Sequence, residues 1–124
     1  MKSKEAQLQS ECVRWFRYQY KDHAMLLFAI PNGGSRNIIE ATNLKRQGVV
    51  AGVADMFLAI PRYENNWYGL TCTHNGFFIE FKYGKNGQTT EQKNFQIEVE
   101  QQGYLYALVN SFDQFKELIE TYLK

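Results

Sequence analysis

Glu80, Phe81 and Lys82 close an apolar run, Phe77-Phe78-Ile79, that reads as a β-strand. Alternate residues of a strand share a face. The Glu80 carboxylate and the Lys82 ammonium therefore point the same way, while Phe81 points into the opposite layer. A second carboxylate, Asp55, follows Gly52-Val53-Ala54 and opens the earlier apolar stretch Met56–Ile60. If the two strands are neighbours, Asp55 and Glu80 converge on one cation. Magnesium takes oxygen ligands, keeps several waters and is commonly held by one or two carboxylates plus a substrate phosphate. A cation held this way neutralises charge on a phosphodiester transition state and generates hydroxide near neutral pH. An ammonium beside it can orient or deprotonate the attacking water or stabilise developing charge. Each feature alone has a plainer reading: Glu-x-Lys on a strand is a common solvated edge, and an aspartate after glycine is a common turn residue. Their order, and the loops around them, make the stronger case.

The elements that must position these residues follow from hydropathy. Residues from about Lys4 to Tyr20 read as a helix, with Leu8, Cys12, Trp15, Phe16 and Gln19 near helical spacing. Met25 to Ile30 is a short apolar run, expected to be a buried strand that stops at the turn Pro31-Asn32-Gly33-Gly34. Asn37 to Gln47 reads as a helix ending at Gly48. Pro61 ends the strand that Asp55 opens, and Arg62 to Trp67 reads as a polar turn. Tyr68–Thr73 and Gly76–Tyr83 read as strands, paired as a hairpin around His74-Asn75-Gly76. Thr89 and Gln92 are spaced as a capping box at the start of a helix that ends near Gly103. Tyr104 to Asn110 is a strand. Ser111, with Gln114 at capping-box spacing, opens a last helix with an apolar face of Phe112, Phe115, Leu118, Ile119 and Tyr122. The order predicts one mixed sheet flanked by helices.

Composition sets the outer bounds. The chain has 124 residues, 44% hydrophobic and 22% charged, which predicts a single globular domain over 1–124. No apolar run approaches the roughly 18–20 residues needed to span a bilayer, and Met1-Lys2-Ser3-Lys4-Glu5 leads into no apolar signal segment. The expected location is intracellular, in the cytoplasm, with no membrane partner. Cys12 and Cys72 are then expected to be reduced, buried or semi-buried thiols. His23 and His74 are isolated, and zinc would need more ligands than this spacing offers. The net charge of +1 does not mark a nucleic-acid binder by itself. Glu91, Glu98, Glu100, Asp113, Glu117 and Glu120 concentrate acid in the C-terminal third, however. The remainder is net basic, with Arg36, Lys45, Arg46, Lys82 and Lys85 around its loops.

Several stretches together resemble the VRR-NUC (virus-type replication-repair nuclease) family of the PD-(D/E)XK nuclease superfamily. They are Pro31-Asn32-Gly33-Gly34, then Gly48 to Met56 with Asp55, then Phe78-Ile79-Glu80-Phe81-Lys82, then Gln92 in the following helix. The resemblance covers nearly the whole chain, and stand-alone copies of this length are typical of phage and prophage. It implies an α/β fold with a restriction-endonuclease-like mixed central β-sheet flanked by α-helices. It also implies a Mg2+- or Mn2+-dependent endonuclease that hydrolyses phosphodiester bonds in DNA during repair, as a homodimeric Holliday-junction resolvase on four-way junctions. Asp55 and Glu80 match the metal-binding carboxylates, the Phe81 carbonyl a main-chain ligand, Lys82 the catalytic lysine and Gln92 a polar residue lining the site. The family's first-helix glutamate matches Glu5, which precedes Gln9 by four residues, with Glu11 as the rival. Ala54 stands where the family usually has proline, which bears on turn rigidity rather than ligation. Asn32, Arg36, Lys85 and Lys93 are candidates for contact with the DNA backbone, against the plainer reading of a turn and a solvated face. A nickase or nuclease for flaps and other replication intermediates, or a non-catalytic nucleic-acid-binding module, are the alternative functions. Tyr63, Trp67 and Tyr68 are candidates for a dimer surface, or simply for the edges of a small core.

Overall fold

The computed structural model describes residues 3–31 and 37–124. The candidate contacts Asn32 and Arg36 lie outside the described residues. Helix α1, Lys4–Gln19, starts at Ser3, whose hydroxyl accepts from the Ala6 N–H at 3.1 Å. Its buried residues Cys12 and Phe16 sit one turn apart, which turns one face to the core. A 3-10 turn, Lys21–Leu26, leads to strand β1, Leu27–Ala29. Helix α2, Ile38–Arg46, is capped by Asn37 and buries none of its residues. Strand β2 is Met56–Leu58, β3 is Arg62–Asn66, β4 is Gly69–His74 and β5 is Phe77–Phe81. Helix α3, Thr90–Gln101, strand β6, Leu105–Val109, and helix α4, Phe112–Tyr122, complete the chain.

Four strands form a mixed sheet in the order β1-β2-β5-β6. The β1–β2 and β2–β5 pairs are antiparallel, and β5–β6 is parallel with α3 as its crossover. One face of this sheet is the core. Leu27, Met56, Leu58, Phe77, Ile79, Phe81 and Val109 are buried there against Cys12 and Phe16 of α1 and Phe115, Ile119 and Tyr122 of α4. The opposite face is aromatic and lies under α3. Phe57 and Phe78 lie tilted against each other with ring centroids 4.4 Å apart, and Phe78 meets Phe95 of α3 edge-on at 5.1 Å. Glu80 and Lys82 belong to this second face, because they alternate with the core residues Ile79 and Phe81.

Three expectations need correction. The run Met25 to Ile30 is not one buried strand. Its first part is the 3-10 turn, and only Leu27 of β1 is buried, because β1 is the sheet's edge and Phe28 faces out beyond the cover of α3. Of the expected turn only Trp67 lies in one; Arg62 to Asn66 do not. They form β3, which pairs with β4 in a separate two-stranded ribbon closed by Trp67-Tyr68 and Gly69. The ribbon is exposed along most of its length, so its strands carry polar residues that look like a turn in sequence. Consequently β4 pairs with β3 rather than with β5, and no hairpin turns at His74-Asn75-Gly76. Cys12 is buried and Cys72 exposed, both as free thiols.

Candidate active site

The antiparallel register pairs Met56 with Ile79 and Phe57 with Phe78. Continued by one residue, it sets Asp55 directly opposite Glu80, on the face that α3 covers. Cross-strand neighbours hold their Cβ atoms about 4.5–5.5 Å apart, so the two carboxylates must meet. Asp55 is fixed from two sides. Its carbonyl accepts from the Ile30 N–H at 2.8 Å, and its Oδ2 accepts from the Phe81 N–H at 2.8 Å. The N–H and C=O of one strand residue face the same neighbour. The Phe81 carbonyl therefore opens on the Asp55 side, while the next residue, Lys82, donates its N–H to Val109 on the other side.

Glu80 is the buried charged side chain among the described residues, at 3% exposure. Its Oε2 accepts from Gln92 Nε2 at 3.1 Å and lies 3.8 Å from Lys82 Nζ, while its Oε1 is buried with no hydrogen-bond partner. Burial, then the Asp55 charge and a hydrogen bond to Asp55, push the Glu80 carboxyl from its ordinary 4.5 up to about 8, with Lys82 opposing the rise. Burial also raises Asp55, against the hydrogen bonds from Phe81 and Glu80 that favour its ionised form. Two ionised carboxylates set face to face have no donor to offer each other, so without a cation between them the pair is held toward protonation, Glu80 above all.

Gln92 ties the lysine to this pair through a helix cap. The Thr89 side chain accepts from the Gln92 N–H, and Gln92 Oε1 accepts from the Thr89 N–H at 2.9 Å, which closes the capping box. The same Oε1 accepts from Lys82 Nζ at 2.9 Å, and Nε2 serves Glu80. One glutamine, oriented by the start of α3, therefore holds both the ammonium and the carboxylate.

Glu5 reaches this neighbourhood from the first turn of α1. Its charge raises both Asp55 and Glu80, whereas the charge of Glu11 acts on Cys12. The Glu5 Oε2 accepts from Asn86 Nδ2 at 3.2 Å, on the loop between β5 and α3. Among the described residues no three His, Cys, Asp or Glu side chains are grouped to hold a metal ion together. The close donor set is Asp55 and Glu80, with Glu5 beyond it. Two carboxylates with one orphaned buried oxygen, beside a main-chain carbonyl, fit a divalent cation of the magnesium type, which completes its shell with water and phosphate. Lys85 and Lys93 are exposed, the first on the loop after β5 and the second next to Gln92 on α3. His23 lies on the 3-10 turn and His74 on the ribbon.

Three residues at the site carry no signal that the sequence reading used. Asn86 engages Glu5. Gln88 Nε2 donates to Gln96 Oε1 at 2.8 Å and to the Tyr106 hydroxyl at 3.3 Å. Tyr106 is buried and feels the charges of Glu80 and Asp55; burial first, then these, push its phenol up to about 12. Only strand alternation in β6 relative to β5 could have pointed to Tyr106, through the pairing of Phe78 with Tyr106.

The arrangement defines a class: a mixed α/β sheet with two carboxylates and a lysine at the ends of adjacent strands, under one helix. A solved structure described as a "VRR_NUC domain protein" is similar to this chain, with a TM-score of 0.79 and 23% identity over 99% of this chain and 90% of the other. At that identity the likeness establishes a shared fold, the VRR-NUC fold that the sequence resemblance implies. No family model and no curated protein matches the sequence.

Proposed function

We propose that this chain is a metal-dependent endonuclease that hydrolyses phosphodiester bonds in DNA selected by structure, in the manner of a Holliday-junction resolvase. The observation that carries the proposal is the Asp55–Glu80 pair, set face to face by strand register with a buried oxygen of Glu80 left without a partner. A carboxyl held at about 8 by burial and a like charge is a costly feature for structure alone. It becomes favourable once a cation sits between the two carboxylates. Asp55, Glu80 and the Phe81 carbonyl are the groups that would hold Mg2+ or Mn2+. When bound, that cation supplies charge neutralisation at the phosphate and lowers the pKa of water. Lys82, fixed by Gln92, presents its ammonium beside the pair to orient the attacking water or to stabilise charge on the phosphate oxygens. Gln92 keeps both groups in place without titrating. Exposed Lys85 and Lys93 near the site suit contact with the DNA backbone.

The homodimer belongs to the same proposal, because two sites related by a two-fold axis suit symmetric cutting of a four-way junction. Tyr63, Trp67, Tyr68 and Leu70 on the β3–β4 ribbon are exposed, Trp67 at 93%, and support a subunit contact there. No helix of the described residues is long and apolar enough to cross a membrane; action in the cytoplasm, on phage or host DNA, is part of the proposal.

The test is cleavage of a panel of linear duplex, nicked, flap and four-way-junction DNA with Mg2+, with Mn2+ and with chelator. Metal-dependent paired cuts at the junction are expected. Binding without cleavage in every metal would leave a nucleic-acid-binding module, and preferential cutting of flaps or nicks would assign replication intermediates instead. A monomeric mass by light scattering, at concentrations where junctions are cut, would remove the two-site mechanism.

A further inference from the structure

We propose that Asn86 is a positioning residue for the metal site, holding the Glu5 carboxylate at the edge of the Asp55–Glu80 pair. The inference rests on the reading of that pair as a cation site. Glu5 and Asn86 are 81 positions apart in the chain, yet the Asn86 amide donates to Glu5 Oε2 at 3.2 Å. This joins the loop after β5, which continues from the site lysine, to the first turn of α1. The loop is anchored at its other end by Gln88, which donates to Tyr106 and Gln96. Asn86 is therefore presented from a loop fixed on both sides of it.

Two observations say what this contact does. Helix α1 packs on β5 and Asn86 follows Lys82 by four residues, so the contact sets the Glu5 carboxylate at the Lys82 end of β5, where both Asp55 and Glu80 feel its charge. Yet no three such groups cluster as direct ligands among the described residues. A carboxylate near a cation, but outside its direct donor set, acts through water in the cation's shell, and its orientation decides whether it accepts those hydrogen bonds. Glu5 is half-buried on a helical first turn with rotatable side-chain bonds, so an outside donor must fix it. Asparagine suits this role. It donates without adding charge, whereas a lysine there would neutralise Glu5 and an aspartate would repel it.

The test is a double-mutant cycle on the full chain, with Asn86→Ala, Glu5→Gln and the pair. The readouts are Mn2+ affinity by calorimetry without DNA, and thermal melting in chelator. Asn86 is exposed on a loop, so melting should stay close to wild type. Mn2+ affinity should fall about tenfold for Asn86→Ala, by about as much for Glu5→Gln, and no further for the pair, as expected when one residue acts through the other. Asn86→Asp should fall further than Asn86→Ala. Wild-type affinity in Asn86→Ala, or losses that multiply in the pair, would overturn the assignment. A Glu5→Gln protein with wild-type affinity would overturn it as well, since Asn86 would have nothing to act through. If the wild-type chain binds no Mn2+, the cation reading of the site fails instead, and the two failures are distinct.

Discussion

Glu80→Gln should stabilise the metal-free protein at pH 8 while abolishing cleavage. In the folded chain the Glu80 carboxyl titrates near 8 rather than 4.5. Between those values the folded state keeps a proton that the unfolded state releases. The unfolded state then binds fewer protons, so stability falls as pH rises from about 4.5 to 8; below 4.5 both states are protonated and the cost vanishes. At about 1.4 kcal/mol per unit, the full shift corresponds to a ceiling of about 5 kcal/mol. Water entry and sharing of the shift with Asp55 reduce this to a few kcal/mol. Glutamine carries no such cost. Its amide N–H can donate to Asp55, which an ionised carboxylate cannot, while its carbonyl accepts from Gln92 Nε2. For a chain of this length 1 kcal/mol moves the melting temperature by about 4 °C. Glu80→Gln should therefore melt on the order of 10 °C above wild type at pH 8 in chelator, with the gap closing by pH 4.5. Adding Mg2+ should raise the wild-type melting temperature at pH 8 and leave the variant where it was. Parallel melting curves for the two proteins from pH 4.5 to 8 would refute the account of Glu80 as a carboxyl held protonated by its surroundings.

Lys82→Ala should lower the cleavage rate about a hundredfold while Mn2+ still binds. Because Lys82 opposes the rise of Glu80, the pH at which metal binding develops should move upward, and calorimetry across pH reads this. A variant with intact rate and lost metal affinity would reverse the role given to the ammonium. Glu5→Gln should reduce activity and Glu11→Gln should not, since only Glu5 acts on the carboxylate pair; junction cleavage by the two variants side by side decides it. Gly52→Ala should destabilise by about 2 kcal/mol or more. Gly52 has φ +89°, and an added Cβ would stand 2.5 Å from the Glu91 backbone, so the loop before Asp55 would have to move. A melting temperature within 2 or so degrees of wild type, about half a kcal/mol, would show that this loop adapts freely.

The legible parts of the fold are those where burial imposes a period. Helices α1 and α4 carry apolar faces, and Asn37, Thr89 and Ser111 mark helix starts with side chains that accept from the third residue on. Gln114 stands at capping-box spacing but its Oε1 accepts from the Asn110 N–H, one residue before the cap, so spacing alone does not set the reciprocal bond. The β3–β4 ribbon was not legible because neither of its faces is consistently buried, so nothing forces hydrophobic alternation on Arg62–Asn66. The same reason misplaced β4: a hairpin with β5 is the simplest reading of two adjacent strands, yet β5 finds β2 and β6 through core contacts far apart in sequence.

The site divides along the same line. Glu80 and Lys82 share a face by alternation, which any strand guarantees. That Asp55 faces Glu80 required the β2–β5 pairing, a non-local fact. Gln92 joins the two kinds of information. In sequence it serves once as the third helical residue of a capping box and once, by resemblance, as a polar residue of the site. In the structure these are one role, because the Oε1 that closes the box onto Thr89 also receives Lys82 while Nε2 holds Glu80. The start of α3 therefore sets the position of the ammonium. Loss of the Thr89 hydroxyl should act on the site through Gln92 as well as on the helix, with no change in Asp55 or Glu80 themselves.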